Sequence, residues 1–177
     1  MQRAFGRQWN NNPVPRNLKG LAAEARTARR QVLLCFVGDP YCAAERTHRQ
    51  TRAALKVLKA AECSVAILTK GGKRCLDDLD VFRNWPDGRI EVGATLTFVS
   101  RERSLEVEPG AANPIERINT LRYLHEHGVK TWVSIEPVID ADESLAAIKA
   151  SLEWVDAYKV GKLNHLKSDV EWKDFCV

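Results

Sequence analysis

Asn113-Pro-Ile-Glu-Arg-Ile-Asn-Thr-Leu-Arg-Tyr-Leu-His-Glu-His-Gly128, followed closely by Lys130-Thr-Trp-Val-Ser-Ile-Glu-Pro137, is the best signposted stretch of the sequence. Asn113 can accept backbone N–H groups at a helix start. Pro114 suits the first turn, where its missing N–H has no helical partner, and Glu116 completes a capping box. Gly128 follows the last turn, where a left-handed residue ends a helix at least cost. The apolar segment Lys130–Ile135 then reads as a strand that stops at Glu136-Pro137.

The same alternation extends outward from this unit. Upstream, Ser64–Thr69 and Ile90–Phe98 read as strands, with a short helix around Leu76–Phe82 between them. Ala53, Ala54, Val57, Leu58 and Ala61 mark a helix before Ser64. Val32-Leu-Leu-Cys-Phe-Val37 is an unbroken apolar run closed by Gly38-Asp-Pro, the pattern of a strand buried on both faces. Leu18, Leu21, Ala22 and Ala25 recur at helical spacing behind Asn17, a suitable cap. Residues 1–16 are polar and Asn/Pro-rich and read as an irregular lead-in. Downstream, Asp142 to about Leu152 is helical, Ala157–Val160 is a strand, and Gly161-Lys-Leu-Asn164 is the loop after it. Five strands alternating with helices imply parallel pairing through right-handed crossovers. A doubly wound sheet and a partial barrel share that signature.

Composition narrows the class without naming it. The chain has 177 residues, 45% of them hydrophobic, enough for one substantial core. Its 27 basic and 23 acidic residues leave a net charge of +4, compatible with a nucleic-acid partner without requiring one. No stretch approaches the roughly 20 apolar residues that cross a bilayer. Met1-Gln-Arg-Ala-Phe-Gly-Arg7 lacks the apolar run of a signal peptide, so a cytoplasmic protein is expected. The five cysteines, Cys35, Cys42, Cys63, Cys75 and Cys176, are spread without a C-x-x-C pair and predict no compact metal site.

In parallel α/β folds ligands sit at the carboxyl ends of the strands. There this sequence places Gly38 and Asp39, Thr69 and Lys70, Thr95 and Thr97, Glu136, then Lys159, Lys162 and Asn164. Asp39 before Pro40 reads as a turn former or a ligand group. Lys70, between a buried strand and two glycines, points to the barrel mouth, where the glycines let a ligand approach the backbone. Glu136 ends an apolar strand, where a carboxylate needs a partner: a cationic ligand, Lys159 or Lys162. Cys35 reads as an inert core residue and Cys42 as a candidate for redox or radical chemistry. His125 and His127 are two residues apart on a helix, so they project from different faces and read as surface residues.

Val37-Gly-Asp-Pro-Tyr41, with Ala44-Glu-Arg46 and Thr51-Arg52, resembles the second-strand segment of spore photoproduct lyase-like enzymes of the radical S-adenosylmethionine superfamily. Further matches follow in order: Ile67-Leu-Thr-Lys70, Arg74 with Asp77 and Asp78, Gly93-Ala-Thr-Leu96, and Leu105 with Glu108-Pro-Gly110. Pro114 with Glu116-Arg117, Leu124-His-Glu-His-Gly128, Glu136-Pro-Val-Ile139 and Val160-Gly-Lys-Leu-Asn164 complete the series. The resemblance implies a partial (β/α)6 TIM-like barrel that cleaves S-adenosylmethionine with a [4Fe-4S] cluster and an electron donor, in the namesake to repair DNA. It also implies that Lys70 pairs with the carboxylate of S-adenosylmethionine, that Gly38 and Asp39 approach its amino group, and that Thr95 meets its ribose or carboxylate. Glu136 belongs to the same cofactor-binding set, and Lys162 and Asn164 border the adenine.

The chain departs from that family in lacking C-x3-C-x2-C, the cluster-binding motif. Its first matched strand corresponds to the family's second, and Glu171-Trp-Lys-Asp-Phe-Cys-Val177 resembles the opening of a final helix. The sequence therefore predicts that residues 17–177 form a barrel truncated at both ends, with no metal ligands and no autonomous activity. It also predicts a bare edge on Val32–Val37, shielded only if the helix Asn17–Arg30 swings over it. Two other functions fit the residues. One is a barrel lyase or aldolase with a Schiff base on Lys70. The other is a non-catalytic nucleic-acid-binding module using Arg46, Arg49, Arg52, Lys70, Lys73 and Arg74.

Overall fold

The structure, a computed structural model, describes residues 17–28, 30–34, 38–162 and 170. Among them five strands form one parallel sheet: β1 (Val32–Leu34), β2 (Val65–Thr69), β3 (Ile90–Thr95), β4 (Lys130–Ile135) and β5 (Ala157–Val160). The helices are α1 (Leu21–Thr27), α2 (Glu45–His48), α3 (Gln50–Ala60), α4 (Leu79–Arg83), α5 (Arg101–Val107), α6 (Pro114–Glu126) and α7 (Ala141–Ser151). Tight 3-10 turns cover Gly72–Asp78 and Pro86–Gly88.

Spatial strand order equals sequence order, β1-β2-β3-β4-β5. A doubly wound sheet must reverse direction somewhere, and this one does not. The helices consequently pack on a single face, as in a partial TIM-like barrel. Strand parity shows it: Val65 and Ile67, Ile90 and Val92, and Val133 and Ile135 join the cores built with Leu55, Leu58, Leu121 and Leu124. The opposite parity, including Leu68, Thr95, Trp132 and Ser134, borders a cleft on the other face.

The sequence expectations shift in places. β3 stops at Thr95 instead of Phe98, although the Leu96 amide still bonds the Ser134 carbonyl at 2.9 Å. Asn17 forms a local turn, its side chain accepting the Lys19 amide at 2.8 Å, and α1 begins only at Leu21. Asn113 does cap α6, accepting the Ile115 amide at 2.9 Å, but Glu116 does not complete the box. Its carboxylate accepts the Lys73 amide at 3.2 Å instead, tying α6 to the turn after β2. Val32, Leu33 and Leu34 are half-buried, not buried on both faces, because β1 borders only β2 among the described residues. Helix α1 packs against α3 rather than along that edge, where Cys63 donates its thiol to the Ala25 carbonyl. Cys35, Cys176, Asn164 and the lead-in 1–16 lie outside the described residues.

Candidate active site

A cleft of about 520 Å³ opens at the carboxyl ends of the strands. Gly38, Asp39, Lys70, Thr95 and Glu136 all line it, with Thr69 and Lys159, so seven of the strand-end residues nominated from sequence come together. Lys162 is exposed in the loop after β5 and is not part of this lining. Cys42 is not either: it borders a separate water-sized pocket with Arg46, Arg49 and Arg74. The chain turns at Asp39-Pro40-Tyr41, with the Cys42 amide donating to the Asp39 carbonyl at 3.2 Å, and that turn carries the thiol away.

At the β1–β2 end of the cleft, Asp39 is both turn former and clasp. One carboxylate oxygen accepts the Tyr41 amide at 2.8 Å and the Thr69 hydroxyl at 2.6 Å; the other accepts the Lys70 amide at 2.6 Å. These bonds fasten the turn after β1 to the end of β2. Tyr41 anchors the turn from below. It is 1% exposed, and its hydroxyl donates to Asp78 at 3.0 Å. Burial, reinforced by the Asp78 charge, pushes the Tyr41 phenol well above its ordinary range. Asp78 in turn pairs with Arg52 at 2.7 Å, and Arg52 reaches on to Asp80 at 2.6 Å. Gly71 lets this packing form, since a Cβ there would stand 2.8 Å from the Tyr41 Cβ. Thr51 completes the brace by donating to the Pro40 carbonyl at 2.6 Å.

Beneath Lys70 lies an ion-pair chain that the sequence reading did not single out as a site. The Lys70 ammonium stands 2.9 Å from Glu108 Oε1, and Arg117 stands 2.9 Å from Glu108 Oε2. Arg117 is buried and donates to the Ala112 carbonyl (2.8 Å), the Thr95 carbonyl (2.6 Å) and the Ser104 hydroxyl (2.8 Å). Oε2 of Glu108 is close to Arg117 but receives no aligned hydrogen bond from the described residues. One signal could have found Arg117. It shares a helix stripe with Leu121 and Leu124, where an apolar residue belongs. A charge in that register needs a buried counter-ion.

The β4–β5 end is built differently. Trp132 faces Gly93 across the sheet, and a Cβ at Gly93 would overlap the indole ring. Trp132 is 2% exposed, and its buried Nε1–H meets no acceptor among the described residues. Lys159 lies over the ring, its Nζ 4.1 Å from the centroid, a cation–π geometry. Glu136 is exposed and accepts the Ser134 hydroxyl at 3.1 Å. The strand alternation Trp132, Ser134, Glu136 would have placed all three on one face.

The described residues offer no group of three or more His, Cys, Asp or Glu that could hold a metal ion. Cys63 is buried against the Ala25 carbonyl, and burial pushes the Cys75 thiol up to about 12. Burial keeps the Cys75 thiol protonated and Cys63 is taken up by a backbone carbonyl, so neither fits an iron–sulfur cluster. His125 is exposed, and His127 stacks on Tyr123 with ring centroids 4.1 Å apart. Four of the six basic residues considered for nucleic acid are already engaged by other groups of the protein. Arg49 pairs with Asp77 and Arg52 with Asp78 and Asp80, Lys70 pairs with Glu108, and Arg74 donates to the Tyr41 carbonyl. No described helix is long and apolar enough to cross a membrane.

No family model matches the chain. Uncharacterized protein MJ0683 of Methanocaldococcus jannaschii is 34% identical over 110 residues, 62% of this chain and 40% of that protein. The chain therefore spans about two fifths of the curated relative it matches. Among solved structures it is similar to Streptococcus suis SuiB at a TM-score of 0.67 and 13% identity, covering 94% of this chain and 39% of that one. The chain shares the fold of SuiB over most of its length. SuiB bound to S-adenosylmethionine gives a TM-score of 0.62 at 14% identity, covering 81% of this chain and 31% of SuiB. SuiB bound to its precursor peptide SuiA gives 0.64 at 14% identity, covering 86% and 33%.

Proposed function

We propose that this chain is the S-adenosylmethionine-binding part of a radical S-adenosylmethionine enzyme of the spore photoproduct lyase-like type. The observation that carries the reading is the cleft itself, where Lys70, Asp39, Thr95 and Glu136 meet Leu33, Leu68 and Trp132. S-adenosylmethionine has a zwitterionic amino-acid end and a flat adenosine. It suits a pocket with cations and acceptors at one end and apolar walls at the other. In this reading Lys70 takes the ligand carboxylate, Gly38 and Asp39 border the amino group, Thr95 meets the ribose or carboxylate, and Lys162 approaches the adenine from the loop after β5. SuiB in its S-adenosylmethionine complex shares the fold, which supports the reading.

The geometry favours this over the two other readings. A Schiff base on Lys70 needs a free amine, and this amine is the ion-pair partner of Glu108. A nucleic-acid module needs unpaired cations for phosphates, and Arg49 and Arg52 already hold carboxylates. Calorimetric titration with S-adenosylmethionine tests the proposal. Lys70→Ala is expected to weaken binding by about 1.5–3 kcal/mol, the range for a hydrogen bond to a charged group. An unchanged affinity removes Lys70 from the site, and absence of binding by the unaltered chain overturns the reading.

A further inference from the structure

We infer that Glu108 is a placeholder carboxylate, holding the Lys70 ammonium at the cleft mouth until a ligand carboxylate takes it over. The inference rests on the reading of the cleft as an S-adenosylmethionine site, because that ligand's amino-acid end supplies the incoming carboxylate.

Three features of the chain Lys70–Glu108–Arg117 lead there. First, side-chain exposure falls along it, 41% for Lys70, 7% for Glu108 and 1% for Arg117. Lys70 borders the cleft while Glu108 is not part of its lining, so a ligand meets the lysine and not the carboxylate. Second, two cations share one carboxylate, leaving one positive charge unmatched. Arg117 is fixed by the Thr95 and Ala112 carbonyls and the Ser104 hydroxyl, which leaves Lys70 as the cation able to turn toward an anion. Third, Glu108 keeps partners after Lys70 leaves. Arg117 remains 2.9 Å from Oε2, and the Thr97 hydroxyl reaches Oε1 at 3.5 Å. A nearly buried carboxylate abandoned by its only cation would be costly, and Arg117 removes that penalty. Asp39 shows the contrast: two backbone amides and a hydroxyl fix its two oxygens, so it cannot exchange partners in this way.

The test compares S-adenosylmethionine with 5′-methylthioadenosine, which keeps the adenosine and lacks the amino-acid end. Both are titrated calorimetrically into the unaltered chain, Glu108→Gln and Glu108→Asp. Glu108→Asp keeps a charge beside Arg117 but shortens the arm toward Lys70. Removing the competing carboxylate should tighten S-adenosylmethionine roughly twofold to fivefold, the factor for one partly exposed ion pair, and leave 5′-methylthioadenosine unchanged. A purely structural role would weaken both ligands together. A folded variant whose preference for S-adenosylmethionine is unchanged or reduced overturns the placeholder while leaving the cleft assignment standing. An unaltered chain that binds neither ligand overturns the cleft assignment itself. If Glu108→Gln fails to fold, Glu108→Asp decides. In the unaltered protein, the NMR resonance of ¹³C-dimethylated Lys70 should also shift with S-adenosylmethionine and stay fixed with 5′-methylthioadenosine. A resonance that ignores both bound ligands likewise overturns the placeholder.

Discussion

The two ends of the cleft solve different problems with similar residue types. At the β1–β2 end, Asp39 and Asp78 are consumed by the protein, which pins the Asp39–Tyr41 turn to β2 and to Arg52. At the β4–β5 end, Glu136 is exposed beside Ser134 and Lys159 rests on a ring face. One end is a brace whose carboxylates are satisfied internally, leaving Lys70 as its group facing the cleft. The other presents polar groups to whatever enters. A carboxylate at a strand end therefore does not by itself announce a ligand site; the number of donors already on it does.

This contrast can be broken at its strongest point first. Arg117→Met strips the nearly buried Glu108 of its deepest partner and should cost about 3–5 kcal/mol in urea unfolding, as loss of one partner of a buried pair does. A cost below about 1 kcal/mol would mean that the braced end does not depend on this ion pair. Asp39→Ala removes three hydrogen bonds to one carboxylate. It should destabilise by at least about 1.5–3 kcal/mol, the value of a single charge-assisted bond. At the open end, Lys159→Met should change stability by no more than about 0.5–1 kcal/mol, the worth of an exposed cation–π contact. A larger loss in the same urea series would show that this end is braced as well.

A pH experiment probes how the open end is held from outside. Asp140, at the start of α7, accepts the Glu143 amide at 3.0 Å and pairs with Arg103 at 2.6 Å. The backbone bond first, and Arg103 second, hold its carboxyl below the ordinary range. A carboxyl lowered in the folded state stabilises above its unfolded pKa, about 3.9, and that contribution drains away as pH falls through the folded value. Asp140→Asn should therefore unfold with a flatter acid limb than the parent, read from urea midpoints between about pH 7 and about pH 3. Parallel limbs would remove Asp140 from the acid sensitivity.

Much of the fold was legible because buried strands and capped helices leave local marks. Lys130–Ile135 and Ala157–Val160 appear at the positions read from sequence, and Asn113 caps its helix. Helix α5 escaped because Leu105 and Val107 are exposed, which leaves no apolar stripe; only Ser100, whose hydroxyl accepts the Arg103 amide at 3.3 Å, marked its start. Of the site, the strand-end rule gathered Gly38, Asp39, Lys70, Thr95 and Glu136 into one cleft. It could not tell that Asp39 is spoken for, because Thr69 and the Lys70 amide reach it only through the β1–β2 pairing. Nor could it separate Cys42 from the cleft, since the direction of a turn is set by side-chain bonds far away in sequence.

The strand order described above has a kinetic meaning. Among the described residues each strand pairs only with the strands immediately before and after it in sequence, from Val32 beside Val65 through Val133 beside Tyr158. None of these described strands has to wait for a partner from a remote part of the chain, so loop-closure entropy is met in modest instalments and contact order stays low for a parallel sheet. Such a wall can grow in the direction of synthesis, each new strand–helix unit docking on a finished neighbour as it leaves the ribosome.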